Sequence, residues 1–130
     1  MKTSLRLLLL LCSLSITPMA WAYTDEGRLP FVGQPGELPA ELALRFVRQQ
    51  LGQQGQIDYP SFRLIQHSPA PAFDRADITL IRDGLQDDSV KAIRQQLQLR
   101  RRNGRWEIHA VREDFSCYRA KPGWTRRLCP

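Results

Sequence analysis

Arginine dominates the chemistry available to the C-terminal third of this chain. Arg100, Arg101 and Arg102 run together and Arg105 follows directly after Asn103-Gly104. Further on, Arg119, Lys121, Arg126 and Arg127 surround Tyr118 and Trp124. Guanidinium groups interleaved with aromatic rings can hold phosphates or carboxylates and stack on planar groups. The competing reading gives the first group a purely protective role, since charge at a hairpin tip keeps strand edges from pairing with other chains.

Other groups that could do chemistry lack companions. His67 and His109 are the only histidines. A base or a metal site needs several convergent groups, and neither histidine has a second ligand at suitable spacing. Asp83, Asp87 and Asp88 could attract a divalent cation, but the glycine and distal Glu of a calcium loop are missing. Turn chemistry accounts for them, because Asp side chains bond to nearby backbone N–H groups. Ser61, Ser68, Ser89 and Ser116 include no Gly-x-Ser-x-Gly elbow, and no Gly-rich phosphate loop is present. The expectation is a protein without catalytic residues, bound metal or cofactor.

Compartment follows from the first residues and the cysteines. Lys2 and Arg6 precede an apolar run from Leu7 to Ile16, and Ala20-Trp21-Ala22 supplies the small residues read by signal peptidase. Residues 1–22 are therefore expected to be a signal peptide, which leaves 108 of the 130 residues, beginning at Tyr23. The run is short for a bilayer span and no second hydrophobic segment follows. Leu11 before Cys12 is too bulky for a lipidation site. Cys117 and Cys129 then remain, and in an exported protein two cysteines most simply form one disulfide. A periplasmic or secreted location is expected.

Charge is divided unevenly over the exported part. Residues 23–88 hold six bases and ten acids, a net of −4, whereas residues 89–130 hold eleven bases and three acids, a net of +8. Such asymmetry speaks to partners and association rates rather than to fold.

The elements that must carry these residues can be read from punctuation and period. Residues 23–37 contain Pro30, Gly33, Pro35 and Gly36 and read as an extended arm. A single domain over 38–130 follows. Leu38 to Leu51 is the one helix, with Pro39 in its first turn, Ala43, Phe46, Val47 and Leu51 on one stripe, and Gly52 as its stop. Phe62 to Gln66 and Asp77 to Arg82 read as strands. Val90 to Arg102 and Arg105 to Val111 flank Asn103-Gly104, the strongest short-range hairpin signal. A two-residue turn sets Arg101 opposite Trp106 as a cation–π pair, Arg100 opposite Glu107, Leu99 opposite Ile108 and Leu97 opposite Ala110. The fold expected is α+β: one N-terminal helix packed on a curled antiparallel meander of about four strands, with a disulfide-stapled tail from Arg112 to Pro130.

Asp87-Asp88-Ser89-Val90, the long strand, Gly104-x-Trp106, Cys117-Tyr118-Arg119, Trp124 and Cys129, in that order, resemble a set of small exported bacterial proteins of uncharacterised function. More loosely, a helix followed by a meander with a Gly-x-Trp strand start is similar to the cystatin-like and nuclear-transport-factor-2-like superfamily. The resemblance implies a helix-on-sheet fold and carries no catalytic residues across.

The function expected is that of an exported, non-enzymatic binding domain. Its candidate contacts are Arg100, Arg101, Arg102, Arg105, Arg119, Lys121, Trp124, Arg126 and Arg127, and its partner is an acidic envelope protein or an anionic polymer rather than nucleic acid. The alternative is a proteinaceous inhibitor of an extracellular hydrolase that uses the loop closed by Cys117 and Cys129. Trp106 is assigned to the core. Trp124, in a polar loop with Pro122, is assigned to the surface.

Overall fold

A computed structural model describes residues 28–52 and 55–130. The signal peptide expected over residues 1–22, Cys12, the first residues of the arm and two glutamines of the linker lie outside the described residues. The elements are β1 (Phe31–Val32), α1 (Pro39–Val47), a short 3-10 turn (Arg48–Gln50), β2 (Ser61–His67), β3 (Arg75–Asp83), β4 (Val90–Arg102) and β5 (Arg105–Cys117). All strand pairs are antiparallel in the order β1-β5-β4-β3-β2, with α1 on one face. The α+β architecture holds, with five strands where about four were expected.

The added strand comes from the arm, where two apolar residues between proline and glycine are too few to show a period. Phe31 pairs with Ile108 and Val32 with Glu107, which covers one end of the β5 edge. Phe31 is buried and meets Phe46 edge-on at 5.2 Å, while the guanidinium of Arg45 lies 4.5 Å above its ring. Arg45 also donates to both carboxylate oxygens of Glu37 at 2.9 Å. That fork holds the Glu37 carboxyl below its ordinary value of 4.5 against the opposing effect of burial. The arm is thereby clamped to the helix.

Helix α1 starts at Pro39, whose missing N–H costs nothing there, and the Glu41 carboxylate accepts the N–H of Leu38 at 2.8 Å. Leu42, Ala43 and Val47 are buried, with Phe46 and Leu51 packed beside them. Leu42, absent from the expected stripe, sits one turn before Phe46 on the same side. Gly52 ends the segment at φ +132°, where a Cβ would overlap the carbonyl of Gln56. The stop is therefore both conformational and steric.

The helix-covered face of the sheet presents Leu64, Ala76, Ile78, Leu80, Leu97, Leu99, Ile108 and Val111, with Trp106 packed at its margin. The cross-strand pairs Leu64–Leu80, Ile78–Leu97, Ala76–Leu99 and Leu99–Ile108 join them. Beyond the end of the helix the same face turns polar. Buried Arg82 donates to the Gln50 carbonyl, and buried Gln95 bonds the Gln50 side chain and Glu113, the latter at 2.8 Å. Arg82 thus satisfies a carbonyl left over at the C-terminus of the helical segment.

Two details of the hairpin differ from expectation. Leu97 faces Val111, not Ala110, because the register shifts between Gln98 and Leu99 and leaves His109 as the extra residue of a β-bulge. Straight alternation would have put Ala110, Arg112 and Asp114 on the helix-covered face; the bulge puts Val111, Glu113 and Phe115 on that face instead. The second strand also continues to Cys117 rather than ending near Val111. The cation–π contacts among the described residues are Arg45 over Phe31 and Arg94 over Trp124, although Arg101 and Trp106 are cross-strand partners as expected.

Candidate functional site

The tail is built onto the end of β5 rather than hung from it. Cys117, the last residue of that strand, is bridged to Cys129 with 5.5 Å between Cα atoms. Inside the closed loop the backbone of Thr125 exchanges both hydrogen bonds with Phe115, at 2.7 and 2.9 Å. This isolated bridge covers the far end of the β5 edge, as β1 covers the near end.

Trp124, next to that bridge, reaches the face of the sheet away from the helix. Its ring centroid lies 4.5 Å from the guanidinium carbon of Arg94. Arg94 donates through Nε and Nη2 to one oxygen of Asp114 at 3.1 and 2.8 Å, and Arg112 Nε donates to the other at 2.9 Å. Asp114 is fully buried. Burial pushes its carboxyl up, but the hydrogen bonds from Arg94 and Arg112 outweigh it and hold the group below its ordinary value of 3.8.

Around this anchored ring the loop forms an open groove of about 370 Å³, lined among others by Lys121, Pro122, Trp124, Arg127 and Leu128. Leu128 is 81% exposed and Trp124 38%. Arg119, Lys121, Arg126 and Arg127 are exposed, and among the described residues none of them takes part in an ion pair. Two solvent-facing cations, Lys121 and Arg127, therefore line the groove, and Arg119 and Arg126 are exposed elsewhere on the same covalently closed loop.

The other expected basic group lies at the opposite end of the hairpin. Asn103 and Gly104 take positive φ values of 50° and 73°, as the two-residue turn requires. Thirteen residues of extended strand separate this turn from the tail, a span of roughly 40 Å. The two groups do not form one surface. The tip is also partly neutralised: Arg100 donates to Glu107, and Arg102 lies 3.7 Å from the same carboxylate. Arg101 and Arg105 are exposed, and the Arg101 N–H donates to the Asp74 carbonyl at 2.7 Å.

The remaining candidates are dispersed. His67 is exposed at the end of β2, and His109 occupies the bulge in β5. The Asp87 carboxylate accepts the N–H groups of Val90 and Ser89 at 2.6 and 2.8 Å, and these bonds lower its pKa. It shapes the turn before β4, as its position in the sequence suggested. Arg94 and Asp114 were missed as determinants of the tail. They are twenty residues apart, and only the phase change at His109 brings them onto one face. No family model, curated protein or solved structure matches the chain.

Proposed function

We propose that the chain is an exported, non-enzymatic binding domain, periplasmic or secreted, that holds an acidic protein surface through its stapled tail. One observation carries this reading: the groove of Trp124 and Leu128 is lined by Lys121 and Arg127, and its loop, tied down by a disulfide, a backbone bridge and the Arg94 stack, exposes two further cations, none of the four in an ion pair among the described residues. Pre-ordering of such a loop lowers the entropy lost on association. Exposed aromatic and aliphatic groups within a basic rim suit a protein partner better than a bare polyanion. The disulfide fits an oxidising compartment, and no helix among the described residues is long and apolar enough to cross a membrane.

The test uses resin-bound peptides of alternating glutamate and leucine, with polyglutamate as the purely anionic control. Joint replacement of Arg119, Lys121, Arg126 and Arg127 by Gln should abolish retention, while replacement of Arg101, Arg102 and Arg105 should leave most of it. Retention that follows the tip variant instead would overturn the assignment. Intact mass after export should correspond to a chain beginning at Tyr23 without lipid.

A second reading draws on the 81% exposure of Leu128, which projects from the closed loop as an inhibitor's anchor residue would. Inhibition of an extracellular hydrolase that is lost in Leu128→Ser, persists at high salt and survives the Arg-to-Gln changes would favour it.

A further inference from the structure

The face of the sheet away from the helix carries a second groove, near the hairpin tip and remote from the tail. It measures about 390 Å³ and is lined by Arg75, Asp77, Gln98, Arg100 and His109 beneath Pro69. That volume lies within the range of small-molecule sites. The strand register places its polar groups on adjacent rungs, with Arg75 directly opposite Arg100 and Asp77 directly opposite Gln98.

Two features of this groove work against stability, and between them lie exposed polar groups left open to a ligand. Like charges directly opposite on neighbouring strands repel one another. Arg100 is partly neutralised by Glu107, but the Arg75 side chain has no ion pair or hydrogen bond among the described residues. Asp77 and Gln98 likewise have no side-chain partner there. Finally, His109 Nδ1 is the only buried side-chain polar atom among the described residues without a hydrogen-bond partner. The bulge puts it there, and bulges are a recurrent means of re-aiming a side chain beside a site. Unpartnered buried groups in native proteins call for a specific explanation.

We infer that this groove binds a small carboxylate, of amino-acid size, that also carries an ammonium or hydroxyl group. Arg75 and Arg100 present two guanidinium groups to the carboxylate, which relieves their mutual repulsion. Asp77 and the Gln98 amide oxygen accept hydrogen bonds from the second group, one rung further along. The His109 ring, with its buried Nδ1 held away from solvent, forms the wall of the groove on β5. The acid beside the two bases selects a ligand with both functions over a simple anion, because a bare oxyanion would be repelled by Asp77 while offering it no donor.

The inference is independent of the role proposed for the tail, and its test reads the groove directly. The probes are alanine, lactate, acetate and inorganic phosphate, titrated while the side-chain nitrogen resonances of His109 and Arg75 are followed. Alanine and lactate should shift both residues saturably, and acetate and phosphate should bind at least about tenfold more weakly. Arg75→Gln should weaken alanine and lactate by about tenfold or more and raise the thermal midpoint of the free protein, since it removes a like-charge pair. Asp77→Asn should weaken alanine more than lactate, because an ammonium loses a charge partner whereas a hydroxyl keeps an acceptor. The inference fails if none of the probes shifts His109 saturably, if phosphate binds as well as alanine, or if Arg75→Gln leaves the shifts unchanged. A fall in the thermal midpoint of Arg75→Gln would also count against it, by giving Arg75 a purely structural role.

Discussion

Arg94 and Trp124 lie in stacked contact, guanidinium over indole at 4.5 Å, and the geometry of that pair is dictated from below. Two bonds from Arg94 to one oxygen of the buried Asp114 hold the guanidinium in place beside the ring. The position of a surface aromatic is therefore set by a carboxylate that never meets solvent.

Removal of that carboxylate should be felt twice. Asp114→Asn is expected to cost about 2–3 kcal/mol in urea unfolding, on the low side for a broken buried pair because Arg94 and Arg112 can rehydrate. It should also displace the Trp124 indole N–H resonance. A variant of unchanged stability, with that resonance in place, would show that Asp114 does not order the tail.

Acid should destabilise the protein over a defined window. Asp114 and Glu37 have folded-state pKa values below their ordinary 3.8 and 4.5, so each binds protons more weakly in the folded chain. Their contributions are complete above those ordinary values and are lost as pH falls through the lower folded ones. Thermal midpoints should stay level towards neutrality and drop below about pH 4, and Asp114→Asn should flatten the drop.

Loss of the disulfide should loosen the tail and spare the sheet. The bridge closes twelve residues of sequence, for which chain entropy predicts about 2–3 kcal/mol. Replacement of both cysteines by serine should lower stability by that amount, with amide protection retained along β3 and β4 and reduced at Thr125. Collapse of protection throughout the sheet would show that the bridge supports the core.

Helix burial gives the cleanest contrast between neighbours. Leu42 is fully buried and Leu44 is 37% exposed. Leu42→Ala should cost about 3 kcal/mol and Leu44→Ala about 0.5 kcal/mol, as measured by denaturant midpoints at equal slope.

The local signals in the sequence located most of the framework. Asn103-Gly104 marked the hairpin and its first pairs, since that turn is encoded by two adjacent residues. Pro39 and Gly52 bracketed the helical segment for the same reason. What escaped depended on distant partners. Phe31–Val32 is a strand only because β5 offers an edge to it. Arg112, Glu113 and Asp114 read as the start of the stapled tail, yet they continue β5, and Asp114 is buried and paired with Arg94 from the neighbouring strand. Arg100 reads as part of a tip cluster, yet it shares a groove with Arg75, twenty-five residues earlier, through cross-strand pairing alone.

The bulge at His109 splits β5 into two stretches of opposite parity. Trp106 and Ile108 look toward the helix at even positions, whereas Val111, Glu113 and Phe115 do so at odd ones. Tolerance to substitution along this strand should accordingly alternate, invert at residue 109 and alternate again. A chain lacking only that residue would keep both stretches seated, because Ala110 would still meet Gln98 and Val111 would still meet Leu97. A one-residue deletion in mid-strand, ordinarily ruinous to a sheet, should here be among the mildest lesions the fold can sustain.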